Sequence, residues 1–449
     1  MISAARAAAY DALLAVAAGR ADLPAALARS RRATGDRRDQ TLAAEIALGV
    51  ERRRATLDYL IAHVSTVPPE RLDLEVLTIL RMSVFQLLHL TRVPASAVVD
   101  EGVKLTRRAG KASAARLVNA VLRTISRNRS RLALPARPVD EANRDAALDY
   151  LSITLSHPRW LAARWYDRLG FAIAGRWMAF NNAAAPLTLC ANRIRTTPGA
   201  LTIHLAAQGI TVAPGQYAPD ALIVGAGQPM PPEDGSFVMQ DEASQLVPLL
   251  AGPRPGPGVL DTCAAPGGKT TALAAVASGL VVACDVRDRR LALLRRTISA
   301  AGASRVVLVQ ADLLHPLPFR AVFGCVVVDA PCSGLGTLRR DPDIRWRRME
   351  ADLVRFAEDQ QRMIAHAADV VAPGGRLVYA TCSSEPEENE SVVDAFLRTR
   401  PEFAPVDARH AHPDLPPAVV DERGHLRTSP DRHGLEVFFG AVFERRRAL

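Results

Sequence analysis

Apolar residues recur at i, i+3, i+4 and i+7 through the first 131 residues, in "ARAAAYDALLAVAAG", "RDQTLAAEIALGVERRRATLDYLIAHV", "LDLEVLTILRMSVFQLLHL" and "AARLVNAVLRTISRN". That period predicts amphipathic helices sharing one core. Gly35, the pair Pro68 and Pro69, Pro94 and Gly110 fall between them, so an all-α bundle is expected over residues 1–131. "LALPARPVDEANRD" (132–145) reads as a proline-bearing linker. Residues 146–240 mix the two periods. "HPRWLAARWYDRLGFAIAGRWMAFNN" predicts one long helix, "PLTLCANRI" and "DALIVGAG" predict strands, and "PGALTIHLAAQG" predicts a helix between them, giving a small α+β module. From 241 to 449 the pattern changes again. Short apolar runs ("GVLDTC", "LVVACDV", "RVVLVQAD", "CVVVDAP", "GRLVYATC") alternate with amphipathic stretches, which predicts an α/β domain with a mostly parallel, doubly wound, Rossmann-like sheet.

Charge sharpens the division. Residues 1–135 hold 22 Arg and Lys against 12 Asp and Glu, whereas the whole chain of 449 residues carries a formal charge of +9. The basic excess therefore sits at the N-terminal end and suits a polyanion, most simply nucleic acid. No run of 18 apolar residues occurs, and the N-terminus lacks the layout of a secretion signal, so a cytoplasmic protein with no membrane segment is expected. The six cysteines lack the short paired spacing of zinc sites; free thiols and no metal are expected.

"GVLDTCAAPGGKTTALAAVA" reads as a strand, a glycine-bearing loop and a helix start, the arrangement that offers free backbone N–H groups to a ligand. A Walker phosphate loop would need Gly where Cys263 stands, and the G-x-G-x-x-G fingerprint is absent because residues 263–268 are Cys-Ala-Ala-Pro-Gly-Gly. S-adenosylmethionine fits better. It needs close backbone approach, from Cys263, Ala264, Ala265, Pro266, Gly267, Gly268 and Lys269, and a carboxylate for its ribose at the end of the next strand. Asp285 stands there, and Asp312 ends the third strand where the adenine would lie.

The stretches "DTCAAPGGKTT", "VVDAPCSGLGTLRRDPDIRW" and "LVYATCSSEPEENE" resemble the motifs of bacterial RNA (cytosine-5)-methyltransferases. The basic N-terminal region, with "TILRMSVFQLL", "RVPASAVVDEGVKL" and "RLVNAVLR", resembles the NusB-like RNA-binding domain. Together they are similar to the RsmB (Sun, Fmu) family over essentially the whole chain. The resemblance implies methylation of small-subunit ribosomal RNA at carbon 5 of a cytosine through a covalent intermediate. The sequence does not fix the oligomeric state, and a monomer is the expectation. Same-chemistry alternatives are transfer RNA or DNA methylation. A non-catalytic RNA-binding or antitermination factor is the alternative of another class.

Carbon 5 of cytosine is too weak a nucleophile to take a sulfonium methyl unaided, so a thiolate must first add at carbon 6. Cys332 and Cys382 each follow a strand end, where ligands of parallel sheets sit. In DNA-type enzymes the cysteine after proline attacks, which would be Cys332. The RNA-type resemblance implies the reverse, with Cys382 as nucleophile and Cys332 assisting release. Asp329 is expected to meet both cytosine edge and cofactor. Lys269 is expected either to act in the site, polarising it or steadying Asp329, or to be a solvated lysine at a helix start. Cys263, Cys284 and Cys325 lie in or beside strands and read as small core residues, Cys263 also opening the cofactor loop. Arg339, Arg340 and Arg345 are candidates for RNA phosphate contact; Trp346 reads equally as a base-stacking or a packing residue.

Overall fold

The computed structural model describes residues 2–230, 232, 234–252 and 258–447. Two compact units emerge, one of residues 2–184 with 338–350, the other of 185–337 with 351–447. The sequence pattern placed divisions at 131, 146 and 240 instead. The helices at 144–182 group with the N-terminal bundle, and the last two residues of the expected catalytic span lie outside the described residues.

The first unit opens with seven helices: α1 (Ala4–Ala17), α2 (Leu23–Ala33), α3 (Arg37–Arg52), α4 (Arg54–Val64), α5 (Leu74–His89), α6 (Ala95–Arg108) and α7 (Ala115–Asn128). Asp22 and Asp36 start α2 and α3 by accepting the backbone N–H groups of Ala25 and Arg38, at 2.8 Å each. Helix α5 is buried on every side from Val76 to Leu87. Its polar residues must find partners there. Arg81 makes a two-pronged pair with Asp58 at 2.6 and 2.8 Å, and Gln86 accepts from Arg6 Nε at 2.6 Å. The expected single helix over 157–182 is two, Arg159–Leu169 and Phe171–Asn182. It breaks at Gly170, whose φ of 77° no helix accommodates.

Among its described residues the second unit holds two sheets. Four short strands, β1 (Thr188–Ala191), β2 (Thr211–Pro214), β3 (Ala221–Ala226) and β4 (Phe237–Met239), pair antiparallel in the order β2-β3-β1-β4. The helix Pro198–Ala207 packs its Leu201 and Leu205 against them. The larger sheet runs β10-β12-β9-β8-β5-β6-β7, with the two-residue β11 (Leu426–Arg427) paired to β12. Strands β5 (Val259–Asp261), β6 (Val281–Asp285), β7 (Val306–Gln310), β8 (Phe323–Asp329) and β9 (Val371–Thr381) are parallel; β10 (Phe403–Val406) and β12 (Phe439–Arg445) complete it antiparallel. Every residue of β6 is buried, the mark of a strand covered on both faces. Strand β5 lies between β6 and β8, so chain order reverses there and a crevice opens at the strands' carboxyl ends.

At Gly49 of α3 the bundle leaves no room for a side chain: a Cβ there would lie 2.0 Å from the Phe85 ring of α5. Alanine would gain about 1 kcal/mol of helix propensity. Overpacking wins, since Phe85 is walled into the core. Gly49→Ala is expected to lower the stability of the helical unit by about 1 to 3 kcal/mol, measured by urea unfolding. Adding Phe85→Leu should recover part of the loss, because the two changes share one contact.

Candidate active site

Strand β5 ends at Asp261 and the chain turns through residues 262–267 into the helix Gly268–Val276. Gly267 makes the turn with a φ of 113°, and a Cβ on it would lie 2.9 Å from Leu294 and 3.1 Å from Thr297. Only glycine satisfies both constraints. Beside this turn opens a pocket of about 270 Å³, lined by Cys263, Ala264, Ala265, Pro266, Gly268, Lys269 and Asp329 among the expected site residues. Gln240, Ser244, Asp261 and Thr297 also line it. These four were not anticipated. Asp261 stood in plain view at the end of the "GVLD" strand, whereas Gln240 and Ser244 come from the preceding segment and carried no pattern of their own.

Asp285 and Asp312 do not line that pocket directly. Asp285 ends β6, is buried, and accepts the Ala265 N–H at 3.3 Å. Arg290 braces it, with Nε 3.0 Å from the Asp285 carboxylate and its guanidinium donating to the Ala265 carbonyl at 2.7 Å. Asp312, two residues beyond β7, accepts the Leu314 N–H at 3.0 Å.

Lys269 donates to Asp329 at 2.7 Å, which resolves the two readings of this lysine toward a pair. Burial works against its ammonium, but the Asp329 carboxylate and, less strongly, Cys382 outweigh burial and hold the lysine pKa above its ordinary value. Burial pushes Asp261 up to about 6, with the hydrogen bond from Thr270 Oγ1 at 2.7 Å opposing and Asp329 assisting. Cys332 and Cys382 meet with their sulfurs 3.1 Å apart. The Cys332 pKa is raised well above that of a free thiol, first by its hydrogen bond to Cys382, then by burial. Cys284 and Cys325 are buried, as expected of core residues, and burial pushes Cys284 up to about 12. Burial also raises Cys263.

The three arginines after the Cys332 loop were expected at RNA phosphate, and Trp346 either at a base or in packing. Three of these four side chains point into the helical unit. Arg345 is fully buried and donates to the Ser156, Asn181 and Leu338 carbonyls and to Asn182 Oδ1, at 2.8 to 3.3 Å. Arg339 stacks 4.2 Å from the Phe180 ring centre and donates to the Ala184 carbonyl at 2.7 Å. Trp346 Nε1 donates to the Glu51 carbonyl at 2.7 Å, so packing is the reading the structure supports.

Comparison with known proteins agrees with this arrangement. Residues 248–444 match the family described as 16S rRNA methyltransferase RsmB/F, 3–127 match the NusB family, and 157–231 match the RsmF/B-like ferredoxin-like domain. The chain is 30% identical to a protein named probable ribosomal RNA small subunit methyltransferase B from Bacillus subtilis, over 89% of each chain. It is 33% identical to ribosomal RNA small subunit methyltransferase B from Pseudomonas putida, over 88% of this chain and 89% of that one. The chain belongs to the RsmB/F family of ribosomal RNA methyltransferases. The solved structure of PH0851 superposes with a TM-score of 0.82 over 99% of both chains at 24% identity. A methyltransferase homologue from Pyrococcus horikoshii matches at 0.57 and 27%, over 67% of this chain and 99% of that one.

Members of this family methylate with S-adenosylmethionine, and the pocket fits it. Gln240 Oε1 is buried at the pocket wall without a hydrogen-bond partner, an acceptor placed for a ligand donor. Among the described residues no cluster could hold a metal ion, and no helix is long and apolar enough to cross a membrane.

Asp261 gives the site a pH signature. An acid whose folded-state pKa is raised binds its proton more tightly when folded, so its stabilising effect is full below the unfolded value of 3.8 and is lost as pH rises toward about 6. Asp261→Asn is therefore expected to become progressively more stable than the parent chain between those pH values, with a constant difference above. Urea unfolding at several pH values checks it; a difference independent of pH would contradict the burial-driven shift.

Proposed function

We propose that the chain methylates carbon 5 of a cytosine in small-subunit ribosomal RNA, with Cys382 as the attacking sulfur and Cys332 as the group that lets the product go. The observation that carries this reading is the pair of sulfurs 3.1 Å apart beside the Lys269 and Asp329 pair. A single-step transfer to a strong nucleophile would need neither thiol. Burial and the bond to Cys382 keep the proton on Cys332, which leaves it a donor toward Cys382.

The Cys382 thiolate adds to carbon 6 while Asp329, steadied by Lys269, takes the cytosine edge and favours the added proton on the ring. Carbon 5 then carries the electron pair that accepts the methyl group, which S-adenosylmethionine supplies when bound in the pocket beside residues 263–269. A base removes the carbon 5 proton, the carbon–sulfur bond breaks, and the electrons return to Cys382. The Cys332 thiol stabilises that departing thiolate. Asp285 and Asp312 serve the ribose and adenine in this reading.

The same proposal gives residues 1–131 the grip on the RNA backbone. Their basic excess supports it. So does a groove of about 510 Å³ between α6 and α7, lined by Arg107, Arg123 and Arg127. The target base must leave its stack, so an unpaired cytosine suits the mechanism.

Transfer of labelled methyl groups to small-subunit RNA from a strain lacking the gene, followed by mapping, tests the substrate. The two cysteines are separated by what each variant accumulates. Cys382→Ala is expected to abolish methylation and to form no adduct. Cys332→Ala is expected to attack but not release, so a protein–RNA species that survives denaturing electrophoresis should build up. The opposite pattern would make Cys332 the nucleophile.

A further inference from the structure

Glu388 is completely buried, six residues beyond Cys382, in the short turn Pro386–Glu388. Four donors converge on it. The Ser333 N–H lies 2.7 Å and Gln360 Nε2 3.0 Å from Oε1, while the Ser333 hydroxyl, at 2.5 Å, and the Ser383 hydroxyl both bond Oε2. Ser333 follows Cys332 and Ser383 follows Cys382. One carboxylate therefore holds the residue after each sulfur, and the two serine hydroxyls also lie 3.2 Å from each other.

We propose that Glu388 is a positioning residue for methyl transfer: its buried carboxylate fixes the separation of the two reacting sulfurs by clamping their loops together. The proposal rests on the reading that Cys332 and Cys382 act as a pair. Neighbouring bonds brace the clamp from both sides. Gln360 also donates to the carbonyl of Pro331, at 3.0 Å, so Cys332 is held on its other flank. Asn389 accepts from Thr381 Oγ1 at 2.5 Å and donates to the Ser383 carbonyl at 2.9 Å, which brackets Cys382 in the same way.

A buried carboxylate is costly unless its oxygens are satisfied, and here both oxygens are, entirely by neutral donors. A salt bridge would cancel its charge; these donors leave its field intact. That field reaches Cys332, adding to its hydrogen bond toward Cys382 and to burial in keeping the Cys332 proton in place. Geometry and charge thus act in one direction: the sulfurs stay close, and Cys332 stays the donor of the pair.

Glu388→Gln tests this at constant volume. One end of the amide becomes a donor: turned to the two hydroxyls it reverses their bonds, turned to the Ser333 N–H and Gln360 it opposes two donors, and in both cases the negative charge shared by all four is lost. The chemical ruler is disulfide closure between Cys332 and Cys382 in the full-length protein with diamide, which takes up the two electrons and two protons; mass spectrometry follows the rate. Closure is expected to slow about tenfold or more, and kcat for methyl transfer to fall by a similar factor, as for lost hydrogen bonds to a charged group. KM for RNA and the affinity for S-adenosylmethionine should stay within about threefold, because no clamp residue lines the pocket. A folded variant with the parental closure rate, or with unchanged kcat, would overturn the proposal. Should Glu388→Gln not fold, the double variant Ser333→Ala with Ser383→Ala cuts the hydroxyl bonds from the other side and carries the same expectations. If the parent chain transfers no methyl group to cytosine, the reading of the reaction fails on its own, while the closure rate still decides the clamp.

Discussion

The register between β8 and β9 is the constraint from which the active site follows. The two strands pair in parallel from Cys325 opposite Arg376 to Asp329 opposite Ala380, and the Ala330 N–H then reaches back to the Ala380 carbonyl at 2.8 Å. Cys332 comes three residues after Asp329 and Cys382 two residues after Ala380, so both sulfurs leave the sheet at the same height. A slip of one residue would turn one of the strands' side chains to the opposite face and part the thiols. The interior of β8 is buried and β9 is buried from Gly375 to Thr381, so such a slip would also carry core residues into the wrong layer. Packing of ordinary Val, Leu and Ala residues thereby fixes the geometry of the chemistry.

The polar side of the same edge works against stability. Asp261, Lys269, Asp329 and Glu388 bring charge into a region where desolvation is costly, and each is held by a specific partner. Asp261 shows the remaining strain most plainly, since one hydrogen bond from Thr270 does not offset its burial. Strain of this kind belongs where function needs it. The adjoining strands β5, β6 and β8, nearly all apolar, carry the compensation.

How far the sequence could be read follows from the same physics. Parallel strands buried on both faces appear as continuous apolar runs, so β6 and β8 were visible, and the carboxyl-edge rule then put Asp285, Asp329, Cys332 and Cys382 near a ligand. The short strands β2 and β4 gave no such run: β2 is largely exposed and β4 has three residues. Arg345 and Arg339 misled because an arginine beside a catalytic loop has the same one-dimensional signature whether it meets phosphate or caps buried carbonyls. Their true partners at Ser156, Asn181, Asn182 and Ala184 lie more than 150 residues away in sequence. Glu388 was hidden in an acidic run, "EPEENE", where surface solvation is the ordinary fate of a carboxylate. Only the fold, by bringing Ser333 across 55 residues to meet it, separates it from its neighbours.

The discontinuity of the helical unit bears on how its role can be isolated. Residues 338–350 belong to it, yet they sit in the chain directly after the Cys332 loop, which is fastened by the Gly336 N–H to the Cys382 carbonyl at 2.9 Å. Within the helical unit this segment leans on the bundle itself: Trp346 on the Glu51 carbonyl, the Asp343 carboxylate on the Leu23 N–H at 3.1 Å, and the Arg339 carbonyl on the Arg52 guanidinium at 3.0 Å. Deleting residues 1–131 would remove all three partners together, and with them the surface this segment packs on. A loss of RNA binding after such a deletion would therefore mix lost charge with a disturbed segment of the helical unit. Reversing Arg107, Arg123 and Arg127 keeps those three contacts and changes only the field of the groove, so it is the substitution that speaks to RNA.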